Sequence, residues 1–392
     1  MRARDHGIVL GRLGPGPLNA ITDVAGVRVG HTTLIRGEGP RVVGEGPVRT
    51  GVTVVMPHDG DAFIEPIFAG CHRLNGNGEL TGLEWVRESG FLTSPIAITN
   101  THSVGVVHDA LLAHAVRAHG PHADFWSLPV VGETYDGVLN DINGFHVRPE
   151  HLDAAMDAAA GGPVAEGAVG GGTGMICHEF KGGIGTASRL VPAEAGGFTV
   201  GALVQANYGS RELLRIDGVP IGEAIPTSVV PSPWAAAEAL ARARAGGRGG
   251  ALEPGAGSII VVLATDAPLL PHQCERLAQR ASLGLARMGS IASTSSGDIF
   301  IAFATGNRGL PGPSSEPAAA ARIVHDVRML DDTRITPLFQ AAVESVEEAI
   351  VNALLVAETM TGADDITAHG LDGERVVEIM ARYGRGPKAR PA

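Results

Sequence analysis

The pair of residues with the most chemistry open to it in this chain is Gly257-Ser258. Small and flexible residues run before it, from Ala245 to Gly257, with Gly246-Gly247 and Gly249-Gly250 among them. After it, Ser258 to Thr265 is almost wholly apolar and β-branched, the mark of a buried strand. A serine in that position is ordinarily a plain strand-entry residue. It is also where an N-terminal nucleophile would stand. A strained peptide bond before a serine can be attacked by the neighbouring hydroxyl in an N→O acyl shift. A preceding glycine leaves backbone room for the tetrahedral intermediate. Cleavage would give Ser258 a free α-amino group, whose ordinary pKa of roughly 7.7–8.0 suits a general base near neutral pH. Gly-Ser also occurs at Gly209-Ser210 and Gly289-Ser290, but only Gly257-Ser258 joins a linker to a strand. On these residues alone both readings stand.

Other chemistries find less support. The run Gly170–Gly174 lacks the Lys-Ser/Thr pair that a phosphate-binding loop requires, and no G-x-G-x-x-G opens a helix after a strand. His178-Glu179 begins like a zinc-protease helix, but Gly182 occupies the place of the second histidine. His102, His108, His114 and His119 fall in or beside one amphipathic helix, where isolated histidines are more often surface or core residues than ligands. No G-x-S-x-G is present for a nucleophile elbow. No metal and no organic cofactor is expected.

The three cysteines, Cys71, Cys177 and Cys274, are far apart and form no C-x-x-C pair, which fits a reducing compartment. A net charge of −12 argues against nucleic acid and anionic membrane as partners. The beginning of the chain carries no apolar run of signal length, and no apolar string approaches a membrane span. A soluble, cytoplasmic protein is expected.

The elements that must position Ser258 read as follows. Strands are expected at Val27–His31, Gly51–Met56, Pro95–Thr99, Phe198–Asn207, Ser258–Thr265 and Ile299–Thr305. Helices are expected after Asn75–Glu79, after the polar turn Asn100–Ser103, and at Pro149–Ala160, Trp234–Arg244, Pro271–Met288, Thr336 onward and Glu374–Arg382. Lys181–Arg189 reads as a second glycine loop and Ser293–Asp298 as a polar turn. Helices and strands do not alternate strictly, so an α+β layered sandwich in one compact unit is expected rather than a doubly wound sheet.

Taken together, several stretches resemble the L-aminopeptidase/D-amidase/D-esterase family, which includes the β-peptidyl aminopeptidases. They are NAITDVAGVRVGHT (Asn19–Thr32), NGNGELTG (Asn75–Gly82), PIAITNTHSVG (Pro95–Gly105), GETYDG and LNDINGF within Gly132–Phe145, GGGTGMICHEFKGGIGTASR (Gly170–Arg189), VGALVQANYG (Val200–Gly209), GSIIVVLATDAPL (Gly257–Leu269) and STSSGDIFIAF (Ser293–Phe303). The resemblance implies a four-layer αββα sandwich like that of N-terminal nucleophile hydrolases, with different strand connectivity. It also implies self-cleavage at Gly257-Ser258 into chains 1–257 and 258–392 that stay together. Ser258 would then be the nucleophile. Ser296 and Asp298 match the supporting serine and acid, and Asn207 the oxyanion-stabilising amide, with Tyr135 close by. Glu133 matches the carboxylate that holds the substrate's free amine. Small peptides, amino amides or esters are the implied substrates, and a tetramer of cleaved protomers the implied assembly.

Overall fold

The computed structural model describes residues 1–119, 125–244, 257–311 and 323–386. The expected linker at 245–256 and the helix end expected at Gly120-Pro121 lie outside the described residues.

Two sheets form the centre. One has four strands in the order β1-β2-β5-β6, with β1 Arg28–Arg36, β2 Val48–Met56, β5 Ile96–Asn100 and β6 Val130–Thr134. The other has six, in the order β4-β3-β12-β11-β10-β9. Its members are β3 Ile67–Gly76, β4 Phe91–Leu92, β9 Gly183–Leu190, β10 Thr199–Asn207, β11 Gly257–Thr265 and β12 Ser296–Ala304. A two-residue hairpin pairs β7 Ile176–Cys177 with β8 Phe180–Lys181, turning through His178 and Glu179 in the left-handed region.

The helices divide between the outer faces. In chain order they are α1 Leu83–Ser89, α2 Val104–His119, α3 Pro149–Asp157, α4 Ile221–Ala224, α5 Pro233–Arg244, α6 Pro271–Gln279, α7 Ala281–Arg287, α8 Thr336–Val356 and α9 Gly373–Arg382. Three apolar cores separate the layers. Val52, Val54, Ala97 and Val131 pack with Val107 and Leu111 of α2 and Leu152 of α3. Between the sheets Val55, Ile96, Ile98 and Val130 meet Leu203, Ile260, Val262 and Ile301. On the far face Ile259, Val261, Ala302 and Val204 pack with Cys274 of α6, Leu285 of α7 and Ile350 of α8. Helix, sheet, sheet, helix is an αββα sandwich, as the resemblance implied.

Alternation along a strand explains the split. In β11 the odd residues Ile259, Val261 and Leu263 face the helices, and the even residues Ile260, Val262 and Ala264 face the other sheet. Covered on both faces, such a strand is apolar throughout, which is why it reads so clearly in the sequence.

Four expectations about elements need correction. Lys181–Arg189 is mostly strand β9, not a loop. Its glycines are there because helices and loops cross it closely: a Cβ on Gly185 would stand 1.9 Å from the Ala349 carbonyl oxygen of α8. The turn expected through Ser293–Asp298 is already strand from Ser296 onward, since Gly257 and Ser258 pair with Ser296 and Gly297. The helix expected over Pro271–Met288 is two, broken at Arg280. Strand β3, absent from the expectations, carries the alternating Ile67-Phe68-Ala69-Gly70-Cys71.

Candidate active site

Ser258 is the second residue of β11. Its partner across the antiparallel pair is Asn207, the last residue of β10, and across the parallel pair it is Gly297 of β12. Register therefore gathers Ser258 and Asn207 at one end of the sheet, with Ser296 and Asp298 on either side of Gly297. Ser258 shares parity with Ile260 and so belongs to the face turned toward the four-stranded sheet. Its Oγ accepts a hydrogen bond from the Gly297 amide at 3.1 Å.

Gly257 is dictated by closeness. A Cβ there would lie 1.9 Å from the Asn207 carbonyl oxygen, so no other residue fits without moving one strand. Gly297 is held likewise, since its Cβ would meet the Asn77 carbonyl oxygen at 2.5 Å. The loop carrying Asn77 and Gly78 thus lies directly on the start of β12. Opposite it, β3 has a bulge that shifts register between Asp298 and Ile299, loosening the ladder where the acid stands.

Ser296 Oγ donates to Asp298 Oδ1 at 2.6 Å. Both side chains are buried. Burial pushes the Asp298 carboxyl up to about 6, against the pull of the Ser296 hydroxyl and the Ile259 amide. Asn207 is fixed at both ends of its amide: Oδ1 accepts from the Ile176 amide at 2.7 Å, and Nδ2 donates to the Tyr135 carbonyl at 3.0 Å. The short β7 strand therefore sets which end of the carboxamide points at the site.

Glu133 comes from β6 of the other sheet and is 3 % exposed. One carboxylate oxygen accepts the Glu79 amide at 2.9 Å, and the other accepts the Thr101 hydroxyl. Burial raises its pKa, while the Thr101 and Glu79 hydrogen bonds favour the ionised form. Such a carboxylate is primed for a cation.

Gly257, Ser258, Glu133 and Tyr135 all line one cavity of about 420 Å³. Ser296, Asp298 and Asn207 are not on its lining; all three are buried, Asn207 directly across from Ser258 on β10 and the other two on either side of Gly297 on β12. The Tyr135 ring packs over Gly137, whose Cβ would lie 2.4 Å from the phenol oxygen. Asn100 and the Gly170–Gly174 run do not line it. Asn100 donates to Thr50, and the glycines bring backbone against backbone: a Cβ on Gly172 would meet the Ile184 amide nitrogen at 2.5 Å.

The sequence did not single out the other lining residues, Asn77, Gly78, Glu79, Thr101, Trp234 and Ser295. Thr101 stood in a polar turn after a strand, a usable signal. Trp234 looked like an ordinary residue at the start of an alanine-rich helix, and a backbone amide has no sequence signature.

The discarded metal motifs have other occupations. His178 is buried, with Nδ1 against the Ser210 carbonyl at 3.0 Å and a pKa lowered to about 4 by burial. His114 and His119 stand beside Asp153 and Asp61. Among the described residues no group of three or more His, Cys, Asp or Glu could hold a metal ion. The three cysteines are buried and unpaired. No described helix is long and apolar enough to cross a membrane.

Comparison with known proteins finds relatives over nearly the whole chain. The chain is 48% identical over 384 residues to a β-peptidyl aminopeptidase of Sphingosinicella microcystinivorans, covering 98% of this chain and 93% of the relative. A solved β-aminopeptidase of a Burkholderia species superposes with a TM-score of 0.86 at 53% identity, covering 100% of both chains. An L-aminopeptidase D-Ala-esterase/amidase of Ochrobactrum anthropi, described as a variant of the Ntn hydrolase fold, gives 0.85 at 46% identity, covering 98% of this chain and 99% of that one. The model of peptidase family S58 matches residues 19–368, and the chain belongs to that family of peptide hydrolases.

Proposed function

We propose that the protein is a self-processing aminopeptidase with an N-terminal serine nucleophile, acting on small peptides, amino amides or esters through an acyl-enzyme. One observation carries the reading: a strand-end serine after an obligatory glycine shares a cavity with a buried carboxylate that has room for a cation. In the processing step Ser258 Oγ attacks the Gly257 carbonyl carbon, and the acyl group passes from nitrogen to oxygen. Water then hydrolyses the ester, leaving chains 1–257 and 258–392 with the Ser258 amine free.

In turnover Glu133 pairs with the substrate's ammonium, which fixes the scissile carbonyl over Ser258. The serine's own amine takes the Oγ proton as the carbon–oxygen bond forms, and returns it to the departing amine or alcohol. Asn207 Nδ2, with Tyr135 beside it, stabilises the oxyanion; losing one such donor costs ~10²–10³ in turnover. Ser296 and Asp298 orient the amine and hydroxyl. Water then repeats the attack on the acyl-enzyme. The names of the relatives favour β-amino acyl residues among the substrates, and a cytoplasmic homo-oligomer of cleaved protomers, a tetramer, is the assembly we expect.

Intact mass under denaturing conditions tests the processing. Two fragments in place of one 40.2 kDa chain are expected, and a chain still whole after long incubation refutes it. Ser258→Ala should abolish both cleavage and p-nitroanilide hydrolysis. Activity that survives the change would assign the nucleophile elsewhere.

A further inference from the structure

A second cleft, of about 850 Å³, adjoins the active-site cavity, and Trp234 lines both. A third hollow, of about 330 Å³, shares Gly78 and Glu79 with the active-site cavity instead. The Glu79 amide is bonded to Glu133, so the third hollow lies on the side of the ammonium pocket. Trp234 marks a different flank. With the amino end held at Glu133 and the carbonyl at Ser258, whatever follows the scissile bond must leave by a flank other than the Glu79 one.

We propose that the cleft beyond Trp234 receives the leaving group, and that it selects neutral or cationic leaving groups over those bearing a carboxylate. This rests on the aminopeptidase reading above. The charged side chains on the cleft wall are Glu179, Glu212, Glu223 and Glu238 against Arg211 alone. Arg211 has little left to offer an incoming carboxylate. Its Nε donates to the His178 carbonyl, Nη1 to the Ile225 and Val230 carbonyls, and Nη2 to the Glu179 carbonyl, while its guanidinium rests 3.5 Å from the centre of the Phe180 ring. Glu223 and Glu238 pair with Arg215 and Arg242, which do not line the cleft. Glu179 accepts the Arg211 amide and lines the cleft with Glu212, for which the wall offers no other basic side chain.

An independent feature points to a peptide. Ser232 lies on the same wall at 8% exposure, and its Oγ is buried with no hydrogen-bond partner among the described residues. A buried hydroxyl in that state is costly, and a rotamer change that turned it to a peptide carbonyl or amide in the cleft would satisfy it. A wall with four carboxylates and one fully engaged guanidinium, plus an unmet hydroxyl, suits an uncharged or basic peptide.

The test uses the processed protein and one acyl residue joined to p-nitroaniline, Ala-Ala-amide, Ala-Lys-amide or Ala-Glu. At low salt kcat/KM for the Ala-Lys-amide substrate should exceed that for Ala-Glu by roughly tenfold, and the gap should narrow at about 0.5 M salt as the field is screened. Glu212→Lys should shrink or reverse the gap, and Thr227→Lys, on the same wall, should move it the same way. Equal kcat/KM for the two peptides, or a gap that neither salt nor either lysine variant changes, overturns the assignment of the cleft. Failure to hydrolyse any of the four, the p-nitroanilide included, overturns the aminopeptidase reading instead.

Discussion

Thr101 touches Glu133 from inside the cavity, and its hydroxyl is the chief group opposing the effect of burial on the carboxyl of the proposed ammonium pocket. Burial drives the Glu133 carboxyl toward its neutral form, which cannot pair with a cation; the Thr101 hydrogen bond opposes this. Thr101→Val should therefore raise the Glu133 pKa further, moving the acidic limb of kcat/KM to higher pH. It should also raise KM by roughly tenfold, the worth of a hydrogen bond to a charge. Thr101→Ser should restore both. An unmoved acidic limb would mean that Glu133 does not carry the substrate's charge. Asp298 presents the opposite balance. A buried carboxyl with a pKa of about 6 binds its proton more tightly folded than unfolded, so the stability it lends is complete only below the ordinary carboxylate value of 3.8 and is lost as pH rises through 6. At neutral pH its ionised form costs up to about 3 kcal/mol, by the conversion of 1.36 kcal/mol per unit. Asp298→Asn should raise the melting temperature at pH 7.5 while lowering turnover, and should show no gain in stability below pH 4. A variant less stable at pH 7.5 would contradict this.

At the scale of elements, two glycines tie strands to their neighbours, and each has a measurable consequence. Gly257→Ala would drive a methyl group to 1.9 Å from the Asn207 carbonyl oxygen. The strand must then shift at the point where Ser258 has to reach the preceding carbonyl, so processing should slow by at least tenfold on a time course of intact mass. Gly185→Ala would press α8 away from β9 and should cost about 2–4 kcal/mol in denaturant unfolding, with no change in where the chain is cut. Both glycines bear on how much was legible beforehand. Strands β10 and β11 stood out because burial on both faces makes them apolar throughout. Strand β9 did not, because GGIGTASR spends its residues on close approach rather than on side-chain burial, and small residues resemble a loop. The proposed nucleophile could be singled out by its place between a linker and a strand, whereas the proposed acid and ammonium carboxylate were legible only through the family resemblance of the stretches that carry them. The Glu79 amide that fixes Glu133 was not, since any residue supplies a backbone N–H. Trp234 reaches the cavity only because α5 is docked there, a fact of tertiary packing that helical periodicity does not encode.

For the whole molecule, the order β4-β3-β12-β11-β10-β9 decides what cleavage would do. β11 and β12 belong to residues 258–392, yet β3 and β4 flank them on one side and β10 and β9 on the other, all from residues 1–257. Parting the fragments would break two full ladders and both apolar cores that touch the six-stranded sheet. Helix α8 of the second fragment adds a buried ionic clasp. Glu348 receives Arg189 at 2.6 Å, Arg4 at 2.8 and 3.0 Å and Asn19 at 2.5 Å, all from the first fragment. Burial alone would raise the Glu348 carboxyl, but Arg189 and Arg4 outweigh it and hold the pKa below its ordinary value. Stability from this clasp is thus present above the unfolded carboxylate pKa of 4.5 and is lost as pH falls through the lower folded value. Cleaved protein should elute as one particle containing both fragments at neutral pH, and unfold in a single transition. Glu348→Gln should destabilise it by about 3 kcal/mol, because Arg189 stays buried with only the longer 3.4 Å pairing to Glu344 to balance its charge. It should also flatten the acid side of the stability profile, since the group that must be protonated there is gone. Fragments that separate on a sizing column at pH 7.5, or a variant with the acid sensitivity of the parent, would show that the interleaved sheet and the Glu348 clasp do not hold the halves together.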